Sequence, residues 1–271
     1  MVQSIQFIVK ANFSPPPFIG SMVRGALGQS LKEVVCVNPS FECEGCFAQE
    51  SCLYYDMYEA KKRFHDFRLD FELWPKSLEF GIRLWGEAKE KYPYILSALY
   101  RMLSVKGLGT KRERVKNFEI WSDGEPVYDG KSFLQRRLEP KSFQIDTFCP
   151  EVTLRLRTPV RLKKDGRFLR SHNLGIEDLL ISIARKKSFY EGKQIHIETF
   201  PKVEAKELKM IDFTRYSSRQ KSKMRIGGVI GWMRLRDLTP QTYELLRFGE
   251  IVGVGKLGTF GLGSMEVKEG E

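Results

Sequence analysis

“TPQTYELLRFGEIVGVGKLGTFGLGSMEV”, residues 239–267, predicts a helix, a glycine-rich loop and a strand in succession. Thr239 is a typical N-cap residue, and Pro240 suits the first position of the helix. Apolar residues then recur at helical spacing, and residues 259–267 alternate as in a strand. A further alternating stretch, “MRIGGVIGWMRL” at residues 224–235, predicts another strand just before the helix.

The same order of elements occurs earlier in the chain, which indicates an internal repeat. Alternation in “SLEFGIRLWGEA”, residues 77–88, predicts a strand, and helical spacing in “YPYILSALYRML”, residues 92–103, predicts a helix. A loop with Gly107 and Gly109 follows, and then the alternating stretch “VKNFEIW”. We therefore align these two glycines with Gly253 and Gly255.

Each half also opens with an alternating stretch, at residues 2–13 and 151–162, and an amphipathic helix pattern follows each of them. Strand, helix, two strands, helix and strand is the order of the split βαβ plan. The sequence thus predicts an α+β protein with two tandem ferredoxin-like (RRM-like) βαββαβ domains. We place them at residues 1–148, with an inserted four-cysteine loop at residues 36–52, and at residues 149–271, with a C-terminal glycine-rich loop at residues 252–263.

The glycine-rich loop could serve a nucleotide cofactor, an RNA strand or an ordinary tight turn. Gly253, Gly255 and Gly258 have the spacing G-x-G-x-x-G, but that fingerprint needs a following helix and an acidic residue about 20 positions on. Too little chain remains for either. Lys256 is followed by Leu257, where a triphosphate-binding loop has Ser or Thr. The pattern therefore disfavours a nucleotide site and leaves RNA or a tight turn.

The composition is that of a globular protein with excess positive charge. The chain has 271 residues, a formal net charge of +11 and a pI near 9.4. This balance favours a polyanion such as nucleic acid over a membrane surface or an acidic protein. The amino terminus lacks the pattern of a secretory signal, and no run approaches the ~18 apolar residues of a membrane span. We expect a cytoplasmic protein with no membrane partner.

Two runs in the second predicted domain concentrate the positive charge, “LRLRTPVRLKKDGRFLRSH” at residues 154–172 and “RYSSRQKSKMR” at residues 215–225. A strand with alternate basic residues beside a basic loop is typical of a groove that follows a nucleic-acid backbone. Bare N–H groups of a glycine-rich loop can also approach phosphate oxygens. A solvated face is the alternative for either run alone. The predicted RNA contacts are Arg155, Arg157, Arg161, Lys163, Lys164, Arg167, Arg170, Arg215, Arg219, Lys221, Lys223, Arg225, Gly253, Gly255, Lys256, Gly258, Gly261 and Gly263.

Four cysteines lie close together in “CVNPSFECEGCFAQESC”, at Cys36, Cys43, Cys46 and Cys52. In a reducing compartment, disulfides are disfavoured, and four thiolates that include a C-x-x-C pair suit tetrahedral zinc. Such a site would have no open coordination position, so the zinc would be structural. An iron–sulfur cluster and ordinary reduced thiols are the alternatives.

Several of these segments together resemble a known family. They are “PPPFIGSMVRGALGQSL” with the cysteine cluster and “CLYYDMYE”, then “SVKGLGTKRERV”, “DFTRYSSRQ” with “GGVIGWM”, and the terminal “VGVGKLGTFGLGSMEV”. The chain resembles the CRISPR repeat-processing endoribonucleases of the RAMP superfamily, in their divergent cysteine-containing branch. The resemblance implies two ferredoxin-like domains, binding of CRISPR repeat RNA, and cleavage of the precursor without a metal ion.

Metal-free cleavage of RNA needs a base, an acid and a cation near the scissile phosphate. Many relatives carry a histidine in or just after the first helix of the amino-terminal domain, but residues 13–54 contain none here. The candidates are therefore His172, beside Arg167 and Arg170 at the start of a helix, His65 in a basic stretch, and Tyr216 with Lys221 or Arg219. His196 is predicted to be a strand residue. The missing histidine leaves a second hypothesis open, a non-catalytic subunit that binds guide RNA in a CRISPR effector complex.

Overall fold

The computed structural model describes residues 2–61, 64–145, 147–217 and 222–270. The chain forms two compact units, an N-terminal unit of Gln3–Ser142 and a C-terminal unit of Phe143–Glu271 that also includes Met1–Val2. The border therefore lies six residues before the predicted one. Backbone pairing accounts for it, because Ser142 pairs with Gln3, whereas the N–H of Phe143 donates to the Val2 carbonyl oxygen at 3.4 Å.

The described part of the N-terminal unit contains two helices and six strands. In chain order they are β1 (Gln3–Ala11), α1 (Gly20–Val35), β2 (Phe67–Asp70), β3 (Leu78–Leu84), α2 (Tyr92–Arg101), β4 (Phe118–Ser122), β5 (Glu125–Tyr128) and β6 (Lys141–Ser142). Short 3₁₀ and π turns lie at Gln49–Ser51, Tyr55–Glu59 and Met102–Lys106.

The sheet of this unit has the order β2-β3-β1-β4-β5, and β6 also pairs with β1. Its strand pairs are antiparallel, and the order β2-β3-β1-β4 of the first four strands is the ferredoxin-like order. Alternation decides which side chains enter the core, because Phe7 and Val9 of β1 are fully buried while Lys10 is exposed. The helices α1 and α2 pack together and bury Leu27 and Leu99 completely.

The C-terminal unit repeats this plan with an added hairpin. Its elements are β7 (Val152–Val160), β8 (Lys163–Lys164), β9 (Arg167–Phe168), α3 (Ile176–Glu191), β10 (Lys202–Ser217), β11 (Ser222–Arg236), α4 (Pro240–Val252) and β12 (Met265–Glu269). The sheet order is β10-β11-β7-β12, again antiparallel throughout. The same strand order in both units confirms the prediction of two tandem ferredoxin-like domains.

Two local predictions are wrong. Residues 194–200, which include His196, form no strand: the His196 carbonyl oxygen accepts from Gln241 Nε2 at 2.8 Å, and the Ile195 N–H donates to Ser188 Oγ at 3.0 Å. Side chains of the neighbouring helices thus take the backbone bonds that a strand would need. Residues 259–267 are also not one strand, because Gly258–Phe260 is a 3₁₀ turn and β12 begins only at Met265.

Within the described part of the chain, no helix is long and apolar enough to cross a membrane.

Candidate nucleic-acid interface

The glycine-rich segment at residues 252–263 is folded against its own unit. Gly255 has a φ of 74° and Gly263 a φ of 72°, in the region that favours glycine. A Cβ on Gly255 would lie 2.7 Å from the carbonyl oxygen of Arg161, and one on Gly263 would lie 1.8 Å from that of Val254. The close approach that the glycines predict is therefore an approach to the protein's own backbone.

Three glycines of this segment are buried, and their N–H groups donate within the fold. The donations run from Gly253 to Gly249 O at 2.8 Å, from Gly261 to Gly258 O at 2.8 Å, and from Gly263 to Pro159 O at 3.1 Å. The prediction that bare N–H groups of these three glycines face phosphate oxygens is wrong, since each has an acceptor in the protein. Lys256 and Leu257 are the exposed residues of this segment, and Lys256 supplies the charge.

A buried lysine that the sequence analysis missed fixes the start of the segment. Lys186 of α3 is only 6% exposed, and its Nζ donates to the carbonyl oxygens of Val252 at 3.0 Å and Gly253 at 2.8 Å. These carbonyls end α4, where the helix dipole favours a cation. Thr158 of β7 fixes the other end, because its Oγ1 donates to Gly261 O at 2.7 Å and accepts from the Ser264 N–H at 2.8 Å. The exposed turn thus stands on a rigid base.

The short hairpin β8–β9 places basic side chains next to this turn. Asp165 and Gly166 both have positive φ, 49° and 77°, as a two-residue Asp-Gly hairpin turn requires. The Arg161 guanidinium lies 3.9 Å and the Lys163 Nζ 4.6 Å from the centroid of the Phe168 ring. Because the Lys256 N–H donates to Arg161 O at 3.0 Å, the hairpin and the exposed turn meet at the end of β7.

The sheet face opposite the helices carries the strand residues of the first basic run. Arg155 and Arg157 of β7 are exposed, while their neighbours Leu154 and Leu156 are buried. Arg155 pairs with Trp232 of β11, and residues directly opposite in a ladder share a face. The alternation predicted in β7 is confirmed.

Other side chains on this face were missed by the sequence analysis. Trp232 is half-buried and Arg234 is exposed. Arg234 of β11 and Lys268 of β12 lie on either side of Thr153 of β7, because each of them pairs with it. A half-buried tryptophan among arginines is the kind of platform on which bases stack. The alternation of β11 was the signal that could have identified Trp232 and Arg234.

The second basic run lies at the end of the long hairpin β10–β11. The two strands pair from Lys202↔Arg236 to Ser217↔Ser222, whereas β7 pairs with β11 only from Val229 to Leu235. The hairpin therefore extends past the other strands. Backbone pairing places Arg215 opposite Met224, Tyr216 opposite Lys223, and the exposed Arg225 opposite Thr214. Arg219 and Lys221 lie outside the described residues.

The three histidines are in different places. His172 is exposed, in the turn at residues 171–173 between β9 and α3, beside the exposed Arg170. His196 is exposed beyond the other end of α3, so the 16 residues of that helix, about 24 Å in length, separate the two. His65 belongs to the N-terminal unit and is half-buried, with its ring edge-on to Phe67 at 6.4 Å between centroids.

The N-terminal end of α3, beside His172, already has two carboxylates in its first turn. The Gly175 N–H donates to Asp178 Oδ2 at 3.0 Å, and Glu177 is also in the first turn of α3. Lys164 of β8 lies 3.5 Å from the other oxygen of Asp178. Protein carboxylates therefore already lie at the N-terminal end of α3, where the helix dipole favours an anion.

The four clustered cysteines are half-buried and free, and all four line one cavity of about 430 Å³. Val34, Leu53 and Tyr94 are among the other lining residues. In the parts of the chain that the structure describes, no three side chains of His, Cys, Asp or Glu converge closely enough to hold a metal ion. The structure thus gathers the four thiols around one space without bringing them into a ligand arrangement.

Two family models match the chain. AF_1859_N, described as an N-terminal domain, matches residues 2–142, and CRISPR-associated endoribonuclease Cas6 matches residues 154–265. The chain belongs to the CRISPR-associated RAMP-type repeat-processing proteins. In this RAMP-type protein, the Cas6 match includes both basic runs and the whole glycine-rich segment.

Individual proteins are also similar to the chain over most of its length. An uncharacterized protein of Archaeoglobus fulgidus is 23% identical over 290 residues, which cover 93% of this chain and 92% of that protein. Among solved structures, a Cas6 product complex from Thermus thermophilus has a TM-score of 0.60 at 17% identity, covering 98% of this chain and 99% of that one.

Two further solved structures share the fold. A RAMP protein described as binding different RNA substrates has a TM-score of 0.56 at 12% identity and covers 98% of this chain and 100% of that one. A partial Cas6-RT-Cas1–Cas2 complex has a TM-score of 0.61 at 14% identity, and the match covers all of this chain but 46% of the other. At these identities the similarity establishes the tandem ferredoxin-like fold.

Proposed function

We propose that this RAMP-type protein is a metal-independent endoribonuclease that cleaves CRISPR precursor RNA within its repeats. The observation that carries the proposal is the Cas6 endoribonuclease match over residues 154–265. That segment carries the exposed arginines of β7, the basic hairpin β8–β9 and the exposed turn with Lys256. Cations from three adjacent elements therefore lie within the part of the chain that resembles a ribonuclease.

The RNA backbone lies on the open face of the C-terminal sheet and follows it toward the end of β7. Arg155 and Arg157 bind phosphates on the face, Trp232 offers a ring for a base, and Lys256 binds at the turn. The extended hairpin β10–β11 adds the second basic run at the base of a repeat stem. Since these contacts are mainly ionic, RNA affinity falls steeply with salt.

The cut uses the substrate's own 2′-hydroxyl group. Its oxygen forms a bond to the adjacent phosphorus while the bond from phosphorus to O5′ breaks. A base accepts the 2′ proton and an acid donates a proton to O5′, so the products are a 2′,3′-cyclic phosphate and a 5′-hydroxyl. A lysine or arginine stabilises the extra negative charge of the phosphorane. No step needs a metal ion.

His172 is our candidate for the base, because histidine titrates near neutral pH and this one is exposed beside Arg170. Tyr216, with Lys221 or Arg219, and His65 are the other candidates. Tyr216 belongs to the long hairpin of the same unit, whereas His65 belongs to the N-terminal unit.

A second function is favoured by one observation, the lack of histidine in residues 13–54. In that case the chain is a non-catalytic subunit that binds guide RNA as part of a CRISPR effector complex. The two functions are separated by incubating end-labelled repeat RNA with the protein in EDTA. A product that ends in a cyclic phosphate supports the nuclease. Tight binding without any cut refutes it and supports the subunit.

We also propose that Cys36, Cys43, Cys46 and Cys52 hold a structural zinc ion. The support is chemical: four thiols, two of them in a C-x-x-C pair, line one cavity. Bound zinc would join the end of α1 to the loop that follows it and so restrict residues 36–52. The ion would take no part in cleavage.

A further inference from the structure

The two glycine loops that the sequence analysis aligned have the same backbone conformation. Gly107 follows the π turn after α2 and has a φ of 76° and a ψ of 170°, and Gly253 follows α4 with a φ of 70° and a ψ of 171°. The second glycines also agree, with a φ of 70° at Gly109 and 74° at Gly255. The N-terminal unit therefore presents a counterpart of the turn that carries Lys256.

The counterpart is a closed and rigid loop. Leu108 and Glu113 exchange both backbone hydrogen bonds, at 2.8 and 2.9 Å. The N–H of the buried Val115 then donates to Leu103 O at 2.9 Å and attaches the loop to the turn after α2. The side chains of this loop are thus carried on fixed backbone.

These side chains are strongly basic. Lys111, Arg112, Arg114 and Lys116 are all exposed, and Glu113 is the one acid among residues 109–116. Among the described residues, no acid forms an ion pair with any of the four cations. Four exposed cations and one acid within residues 111–116 leave a net charge of +3 (4 − 1), and a bound polyanion would relieve the repulsion among the cations.

An open groove of about 600 Å³ continues from this loop, lined by Gln29, Lys32, Glu33, Phe41, Arg101, Lys106 and Arg112. The negative charge of Glu33 is already balanced within the protein, because the carboxylate forms ion pairs with Lys106 and with Arg101 Nε (2.7 Å). Burial would raise the pKa of Glu33, but the hydrogen bonds from Lys106 and Arg101 outweigh it and lower that pKa. Phe41 is 47% exposed in the groove, which places one aromatic ring among cations, as in grooves for single-stranded nucleic acid.

We propose that residues 109–116, which we name the N-terminal basic loop, and this groove bind a single-stranded segment of RNA. The cations bind successive phosphates, and a base stacks on Phe41. This inference rests on the proposed RNA substrate but assigns a second binding surface, in the unit that the Cas6 match does not include.

The test compares two triple variants that remove the same charge from exposed positions of the same unit. One is Lys111→Ala/Arg112→Ala/Arg114→Ala, and the matched control is Lys131→Ala/Arg136→Ala/Arg137→Ala, whose residues do not line the groove. The probe is repeat RNA with a 2′-deoxy nucleotide at the cleavage site, with and without its single-stranded flank, titrated at several salt concentrations.

For single strands, each lost phosphate contact lowers the magnitude of the slope of log K against log salt concentration (the salt slope) by about 0.7. At ~0.1 M salt this corresponds to about a fivefold loss of affinity. The loop variant should therefore bind flanked RNA about 100-fold more weakly, with a slope lower by about 2, and Phe41→Ala should weaken binding further. The control and the flank-free RNA should change by less than about fivefold. Lys111→Arg, which keeps the charge, should restore one contact when placed in the loop variant.

The outcomes separate this inference from the proposed function. If the wild-type protein fails to bind any repeat RNA, the proposed function is refuted, because repeat RNA is then not the substrate. If the wild type binds RNA but the loop variant matches the control in affinity and slope, only the second surface is refuted. Unchanged melting temperatures for both variants exclude misfolding as the cause of a loss.

Discussion

Replacing the buried ammonium group of Lys186 with a methionine should destabilise the C-terminal unit much more than the same change one residue later. Lys186→Met removes two charge-assisted hydrogen bonds, each worth about 1.5–3 kcal/mol. It also leaves the carbonyl oxygens of Val252 and Gly253 without that donor. Methionine recovers part of this loss, because burying an ammonium group itself costs several kcal/mol.

The net loss in the free energy of unfolding should be about 2–4 kcal/mol. For a unit of this size, 1 kcal/mol corresponds to roughly 3–5 °C, so the melting temperature of its transition should fall by about 10 °C. Differential scanning calorimetry, or circular dichroism during heating, measures this shift.

The matched control is Lys187→Met, which changes the next residue of the same helix. Lys187 pairs with Glu244 at 2.6 Å and Glu191 at 3.4 Å near the surface, and losing such pairs costs about 1 kcal/mol or less. Burial lowers the pKa of Lys187, but the two glutamates outweigh it and raise that pKa, so the control removes two ion pairs and no donor to the end of α4. Equal shifts in melting temperature for the two variants would refute the claim that Lys186 fixes the glycine-rich segment.

Four other outcomes are expected. His172→Ala should slow cleavage by at least about 100-fold while RNA affinity changes less than about twofold, and an unchanged rate in single-turnover assays would remove His172 as the base. Trp232→Ala should weaken binding of uncleavable repeat RNA by about 1–3 kcal/mol, the usual value of one stacked base; wild-type affinity would show that the ring faces no base. Metal analysis should find about one zinc ion per chain, and the variant Cys43→Ser/Cys46→Ser should lose it. Iron together with inorganic sulfide would instead identify an iron–sulfur cluster and refute the zinc site. The pKa of Glu33 is lowered in the folded protein, so its ion pairs stabilise the N-terminal unit at pH values above the unfolded pKa, and this contribution disappears as the pH falls through the folded pKa. Glu33→Gln should therefore make the free energy of unfolding depend less on pH on the acid side. A pH profile identical to that of the wild type would contradict the pairing.

The sequence was informative where local pattern and tertiary structure agree. Thr239 is the N-cap of α4, as predicted, and its Oγ1 accepts from the Thr242 N–H at 3.2 Å. The alternation of β1 and β7 identifies their buried faces because each is a central strand with one face on the helices. The alignment of Gly107 with Gly253 is confirmed by their nearly equal dihedral angles.

It was less informative where distant groups decide the outcome. Nothing near residues 194–200 reveals that Gln241 and Ser188 take up their backbone groups. Lys186 lies on the stripe of α3 that is otherwise apolar, and only the structure shows the two carbonyl oxygens it reaches. The hairpin β8–β9 was missed even though its Asp-Gly pair is a strong turn signal.

The packing of the C-terminal tail determines how mutagenesis of this protein has to be interpreted. A methyl group added at Gly263 would collide with a main-chain oxygen 1.8 Å away, so an alanine scan there would report unfolding even when no ligand is present. Loss of RNA binding in such a variant would carry no information about contact. Lys256, whose side chain points outward from the same turn, is the position at which a substitution tests recognition alone.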